Sequence, residues 1–287
     1  MDFSDLSALF TGDSGTLLVL ALSLLATGAV AGLLAGLLGV GGGIVIVPVL
    51  YHVFGLMGID DAVRIKLAVG TSLATILITG FSSARTHLKK GSVDTQLLRS
   101  WGPAIAIGVV AGAVLSGYLE SQVLVGIFAA VAMIVAINMA FRSENMALAD
   151  QLPGRPFREI LGLIIGGFSV LMGIGGGTLS VPILTLFRYP IKRAVGTASA
   201  IGLIIAVPGV LGAIWFGLDV GGRPEYSLGY VNLIGFALII PTSAYFAPWG
   251  ARIAHAIPAR MLRWAFAIFL FITSVRMIQD LLPSNMF

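Results

Sequence analysis

Ten apolar segments, separated by short polar stretches, follow one another along most of the chain. They lie near residues 16–38, 44–57, 65–81, 101–119, 123–141, 158–173, 178–187, 192–217, 228–249 and 260–281. A helix needs roughly 20 apolar residues to cross a bilayer core about 30 Å thick, and most segments reach that length. The second and seventh are too short to span comfortably, so each is predicted to be a half-helix or a re-entrant arm. The pattern predicts an all-α polytopic membrane protein.

The composition supports a protein embedded in lipid. Hydrophobic residues make up 57% of the 287 residues and charged residues 10%, whereas soluble domains carry about 25% charged residues. The mean hydropathy is +1.01. The formal charge of +4 is modest, and basic residues in membrane proteins mostly mark cytoplasmic loops. We therefore expect no nucleic-acid partner.

Two motifs occur twice, in the same order. The stretch GVGGGIVIVP at Gly39–Pro48 matches GIGGGTLSVP at Gly173–Pro182, and IKLAVGTS at Ile65–Ser72 matches IKRAVGTA at Ile191–Ala198. Two ordered matches indicate two homologous halves of five apolar segments each. The predicted division is a first transmembrane repeat at 1–142, a polar linker at 143–157 and a second repeat at 158–287.

The distribution of basic residues predicts that the second repeat is inverted. With the N-terminus outside, thirteen of the 17 Lys and Arg residues fall in inside loops and four fall outside. Basic residues concentrate in cytoplasmic loops. The sequence therefore predicts inverted-topology repeats, a cytoplasmic linker at 143–157 and two periplasmic termini.

The doubled GxGGG motif indicates a break in a helix at membrane depth. Irregular backbone is tolerated there only where protein buries it or where it lines a cavity, and a helix start carries free N–H groups that favour anions. Inverted repeats would bring two such starts to one site near the midplane. The glycines could instead serve close helix packing. The predicted substrate-binding residues are Gly41, Gly42, Gly43, Ile44, Thr71, Ser72, Gly175, Gly176, Gly177, Thr178 and Thr197.

The hydroxyls of the second motif and the lysines beside it each have two interpretations. Thr71 and Thr197 are either ligands or bond back to their own helices. Lys66 and Lys192 either guide anions towards the site or extend to lipid phosphates. Ser72 corresponds to Ala198, so the site is not expected to be symmetric.

Several chemistries are disfavoured by what the segments lack. No segment has Asp or Glu near its centre, which argues against a metal or cation site at depth. The absence of cysteine removes thiolate chemistry, and no nucleophile–base set occurs at membrane depth. We expect neither an enzyme nor a cofactor.

The doubled G(V/I)GGG…VP motif, followed in each half by AVGT, resembles the TauE/SafE sulfite exporter family, also called sulfonate uptake permeases. The resemblance extends from about residue 21 to 278. It implies a secondary carrier of the bacterial or archaeal inner membrane for sulfite, sulfonates or related sulfur-containing anions, with an exporter as the first choice. An anion channel, or a carrier of a different solute on the same scaffold, remains the alternative. The expected partners are a small anion and the lipid bilayer, with a coupling proton or ion and the oligomeric state left open.

Overall fold

The computed structural model describes residues 14–38, 42–141, 148–253 and 259–281. These ranges form ten α-helices and one β-hairpin: α1 Ser14–Leu38, α2 Gly43–Leu56, α3 Asp61–Lys89, α4 Thr95–Tyr118, α5 Ser121–Phe141, α6 Phe157–Leu171, α7 Gly176–Leu186, α8 Ile191–Gly217, β1 Ser227–Leu228, β2 Val231–Asn232, α9 Leu233–Ile253 and α10 Ala259–Gln279. The predicted site residue Gly41, the ends of the chain and linker residues 143–147 lie outside the described residues.

The architecture is that of a multi-pass membrane protein. Among the described residues, five helical stretches are long and apolar enough to cross a membrane: α3, α4, α5, α8 and residues 233–250 of α9. Shorter apolar stretches lie in α1, α2, α7 and α10. Large apolar side chains such as Ile107, Ile134 and Leu211 lie exposed on the outside of the bundle, where lipid would cover them.

The two segments predicted to be too short form short helices. At 1.5 Å per residue, the 14 residues of α2 and the 11 of α7 extend about 21 Å and about 17 Å, less than the bilayer core of about 30 Å. Each begins at a glycine of its GxGGG motif and contains the proline that ends the motif. The first residues of each short helix are buried.

The prediction of an apolar segment near 228–249 places the start of its helix too early. Residues Ser227–Leu228 and Val231–Asn232 pair as a two-stranded antiparallel hairpin, and helix α9 begins only at Leu233. Gly229, in the turn, has a φ of 58°, a left-handed conformation that favours glycine. Its position in the turn explains why this apolar run does not start as a helix.

The first helix of each half packs against a helix of the other half. Helix α1 of the first half lies against α9 of the second, and α6 of the second lies against α4 of the first. Helices α3 and α8 pack together, as do α5 and α10, while α2 lies on α3 and α7 on α8. Each half therefore buries its first helix against the other half.

Glycines bring the exchanged helix pairs into close contact. A Cβ atom on Gly32 of α1 would lie 2.4 Å from the Ser243 carbonyl oxygen of α9, and one on Gly108 of α4 would lie 2.2 Å from the Leu163 carbonyl oxygen of α6. In a membrane, helices associate without a hydrophobic driving force, and small residues at their crossings let the backbones approach closely enough for favourable van der Waals contacts. Packing thus accounts for these glycines, which lie outside the doubled motif.

Candidate functional site

The two glycine motifs meet inside the protein. A Cβ atom on Gly43, at the start of α2, would lie 2.6 Å from the carbonyl oxygen of Gly173, which follows α6. The Ser72 hydroxyl of α3 donates to the same oxygen at 2.7 Å. We call this meeting of Gly42–Gly43 with Gly173–Gly176 the glycine crossing. It joins the two halves of the chain and is buried.

Left-handed glycines turn the chain into each short helix. Gly42 caps α2 with φ 74°, and its carbonyl accepts the N–H groups of Val45 and Ile46 at 3.0 and 3.1 Å. Gly173 has a φ of 65° and precedes Gly175, which caps α7 in an extended conformation. The first N–H groups of a helix have no partner within it, so both starts bring donors and positive dipole ends into the crossing.

Gly176 is also held by packing within its own half. A Cβ atom there would lie 2.6 Å from the Ala198 carbonyl oxygen and 2.7 Å from the Gly202 nitrogen of α8. A real Cβ cannot approach backbone atoms so closely. Even the smallest side chain would therefore force α7 away from α8, whether or not a ligand binds there.

The second half supplies hydroxyls that lack a partner. Thr178 is 2% exposed and Ser180 0% exposed, and neither side-chain oxygen has a hydrogen-bond partner among the described residues. Both lie in the first turns of α7, and the aligned residues of α2 are the apolar Ile44 and Ile46. A buried polar group without a partner costs free energy and calls for an explanation. The first turns of α7 therefore carry buried hydroxyls where α2 carries apolar side chains.

Thr71 and Thr197 each bond to the opposite half. The Thr71 hydroxyl of α3 accepts the N–H of Asn232 at 2.8 Å, and the Thr197 hydroxyl of α8 accepts the N–H of Asp94 at 2.9 Å. These bonds differ from the bond back to the same helix that the sequence suggested as the alternative. These two hydrogen bonds hold the start of α9 against α3 and the start of α4 against α8.

The glycine before each threonine allows this contact. A Cβ atom on Gly70 would lie 2.3 Å from the Tyr230 carbonyl oxygen, and one on Gly196 would lie 2.4 Å from the Ser92 carbonyl oxygen. In each half, the Gly-Thr pair of the AVGT motif contacts one segment of the opposite half. We call such a pair, together with the segment that it contacts, a clasp. The outer clasp holds Tyr230–Asn232, and the inner clasp holds Ser92–Asp94.

The residue held by each clasp also caps the helix that follows. Asp94 Oδ1 accepts the N–H of Leu97 at 2.9 Å, and Asn232 Oδ1 accepts the N–H of Gly235 at 2.8 Å. Neither residue was predicted from the sequence. The signal was a third shared motif, GSVD at 91–94 and GYVN at 229–232, which was too short to stand out among the long apolar segments.

The two clasps differ in charge. Arg193 Nη2 lies 3.1 Å from Asp94 Oδ2, and the Tyr189 hydroxyl donates to the same oxygen. Burial alone would raise the pKa of Asp94, but the bonds from Tyr189 and the Leu97 amide and the charge of Arg193 outweigh it and hold that pKa below its usual value. Burial and the carboxylate together raise the pKa of Tyr189 to about 12. The inner clasp is thus an ionic cluster, and the outer one is neutral.

The equivalent lysines have different surroundings. Lys66 Nζ donates to the Gly117 carbonyl at 3.4 Å and lies 5.7 Å from the centre of the Tyr230 ring. It lines a narrow cleft of about 20 Å³ that passes Val69 and reaches Val170, close to Gly173. Lys192 is exposed. Lys66 therefore lines a small cleft near the crossing, whereas Lys192 does not.

Metal binding receives no support from the described part of the chain, where no group of three or more His, Cys, Asp or Glu side chains could hold an ion.

Comparison with known proteins gives one family. The family model described as "Sulfite exporter TauE/SafE" matches residues 24–277. A probable membrane transporter protein of Haemophilus influenzae is 35% identical over 257 residues, which cover 88% of this chain and 96% of that protein. The probable membrane transporter protein MJ0441 of Methanocaldococcus jannaschii is 29% identical, covering 84% and 88%, and the probable membrane transporter protein YunE of Bacillus subtilis is 25% identical, covering 90% and 97%. No solved structure gives a significant match.

Proposed function

Because the chain belongs to the sulfite exporter TauE/SafE family, we propose that it is a secondary active transporter that exports sulfite, a sulfonate or a related small sulfur-containing anion across the bacterial inner membrane. The coarser conclusion, a multi-pass membrane transporter, agrees with the family, the names of the relatives and the five apolar spans. The substrate class and the direction belong to the proposal. A coupling proton or ion is the expected partner of such a carrier.

The two halves are proposed to be inverted repeats. The exchanged packing of α1 with α9 and of α6 with α4 supports this, because a two-fold axis would produce such pairs. The two clasps support it further, since each AVGT threonine holds the helix start of the opposite half. In this arrangement the inner clasp lies towards the cytoplasm and the outer clasp towards the periplasm.

The substrate site is proposed at the glycine crossing. The observation that carries this assignment is the contact of Gly43, at the start of α2, with Gly173, three residues before α7 begins. The first turn of α7 also carries the buried hydroxyl of Thr178, which has no partner among the described residues. Backbone N–H groups and dipole ends at helix starts stabilise an anion without a charged side chain. Transporters with broken helices use half-helix N-termini in this way for anionic substrate groups.

Movement of the two halves is needed for the anion to reach this site. The crossing is closely packed, and the cleft beside Lys66 has room for about one water molecule. We propose that the clasps separate alternately, which would open the crossing to one side of the membrane at a time. Lys66 would then contact the anion on the periplasmic side, while Arg193 and Asp94 would close the cytoplasmic side.

A thermal-shift series tests the charge selectivity of the site. Sulfite and sulfoacetate should raise the unfolding temperature of the purified protein, because helix dipoles favour a net negative ligand. Taurine, a zwitterion with no net charge near neutral pH, should raise it far less at equal concentration, and a cobalt salt should have no effect. Equal stabilisation by taurine and sulfoacetate would contradict a site built from helix dipoles.

A further inference from the structure

A crevice of about 540 Å³ lies apart from the glycine crossing, between α2 and α10. Its inner part is lined by apolar side chains that include Pro48, Val49 and Phe269, and its rim carries Arg64, Arg276 and Asp280. Leu56 and Ile272 at its edge are 80% and 56% exposed. The crevice is therefore apolar at depth, charged at one end and open to the surroundings of the bundle.

The charged end lies at the level of the membrane interface. Helix α2 ends at Leu56, α3 begins at Asp61 and α10 ends at Gln279, and all three helices border the rim. Phe269 precedes Arg276 by seven residues, which places it about 10 Å deeper along α10. A molecule with a polar head at the interface and a hydrocarbon chain below it fits this change from charged rim to apolar interior. A small soluble anion would leave the apolar interior empty.

The rim has its charges in a fixed order on both walls. On α3, Arg64 lies one turn deeper than Asp61, and just beyond the end of α10, Asp280 follows Arg276 by one turn in the outward direction. A phospholipid with an ethanolamine head has the same order, since its phosphate is nearer the glycerol and its ammonium group is further out. Cations that face the phosphate and carboxylates that face the ammonium complement both charges.

Arg64 lies at the rim with its guanidinium only partly engaged. Its guanidinium lies 4.3 Å from the centre of the Tyr51 ring, donates to the Tyr51 hydroxyl at 2.9 Å and pairs with Asp61 at 2.8 Å. Its Nε is buried without a hydrogen-bond partner among the described residues. Arg276 forms no ion pair within 4 Å in the described part of the chain. The rim of one crevice thus carries two guanidinium groups, the charge that a phosphate requires.

We propose that this crevice binds a phosphatidylethanolamine molecule, with its phosphate on Arg64 and Arg276, its ammonium group on Asp280 and an acyl chain over Pro48, Val49 and Phe269. The lipid would fill the gap between α2 and α10 and support the short helix that leads to the glycine crossing. This proposal does not depend on the identity of the transported anion.

Lipid retention measured by native mass spectrometry tests the proposal. The delipidated protein should bind one phosphatidylethanolamine more tightly than phosphatidylglycerol or phosphatidylcholine. Arg276→Gln should weaken that binding about ten- to hundred-fold, the loss expected for a charge-assisted hydrogen bond. Asp280→Asn should remove the preference for ethanolamine over glycerol while phosphate binding remains. Arg85→Gln, an exposed arginine near the other end of α3, is the matched control and should bind as the unchanged protein does.

Three outcomes would overturn the assignment. Unchanged binding in Arg276→Gln would remove the phosphate contact, and an equal loss in Arg85→Gln would show only a general charge effect. Competition by soluble glycerophosphoethanolamine as strong as that of the lipid would show that the apolar part of the crevice takes no part. The same variants should keep the stabilisation by sulfite, so failure here is distinguishable from failure of the proposed transport function.

Discussion

Alanine at Gly70 should prevent the protein from purifying as one monodisperse species, whereas alanine at Gly80 of the same helix should be tolerated. The added Cβ at Gly70 would lie 2.3 Å from the Tyr230 carbonyl oxygen, but at Gly80 the nearest atom is Leu203 Cδ2 at 3.5 Å. Forcing atoms into a packed interior costs typically about 1–3 kcal/mol, and here the obstacle is backbone that cannot rotate away.

Size-exclusion profiles and unfolding temperatures of the two variants provide the measurement. Gly70→Ala should also break the bond from Asn232 to Thr71, because the same segment must move outwards. Gly80→Ala should unfold at or above the temperature of the unchanged protein, since alanine favours helix over glycine by about 1 kcal/mol. Equal stability of the two variants would show that the outer clasp is looser than the structure indicates.

Replacement of Thr178 by valine should reduce transport about ten- to hundred-fold and leave the fold intact. Valine keeps the shape of threonine and removes only the hydroxyl, which has no partner among the described residues. If that hydroxyl binds the anion, its loss removes a charge-assisted hydrogen bond of about 1.5–3 kcal/mol. If it binds nothing, its removal should raise stability and leave transport unchanged, because a buried orphan hydroxyl is costly.

Thr79→Val is the matched control for that substitution. The Thr79 hydroxyl bonds back to the Thr75 carbonyl of its own helix at 3.0 Å, so the same change there should alter transport little. Uptake of labelled sulfite into inside-out vesicles, normalised to folded protein, compares the two variants. Similar rates in both would remove Thr178 from the proposed site.

The glycines themselves cannot separate substrate binding from packing. The doubled motif suggested from sequence that bare backbone at Gly42 and Gly176 serves a ligand. Gly176 is in addition closed in by backbone atoms of α8, so alanine there would damage the protein for either reason. Thr178 gives a clearer test, because valine removes its hydroxyl group without changing the volume of the side chain.

Much of the fold follows from apolar length alone. The segment predicted near 192–217 forms α8 at Ile191–Gly217, and the two short segments form short helices. Segment ends were less predictable where polar residues extend a helix. Helix α3 runs from Asp61 to Lys89, beyond the apolar run 65–81, because Asp60 caps its start and charged residues at its end lie outside the apolar region.

Contacts between the halves could not be read from the sequence. The repeats identify which residues are equivalent, but not that Thr71 holds Asn232 and Thr197 holds Asp94, since those pairs lie more than a hundred residues apart. The charge difference between the clasps also depends on a neighbour, Arg193, that has no basic equivalent in the first half, where Leu67 stands. Which residues pair between the halves is a property of the assembled bundle.

The proposed substrate site depends most directly on the orientation of the two halves in the membrane. In the proposed inverted arrangement, the starts of α2 and α7 approach the crossing from opposite faces of the membrane. The chain has no native cysteine, so single cysteines at Lys90, between α3 and α4, and at Gly221, between α8 and α9, can be labelled individually. Both positions are exposed, and they occupy equivalent loops of the two halves.

Labelling of intact cells with a membrane-impermeant maleimide is the deciding measurement. With inverted repeats, Gly221→Cys should react in intact cells and Lys90→Cys only after the membrane is permeabilised. Reaction of both positions under the same condition would place the equivalent loops on one side of the membrane and contradict the inverted arrangement.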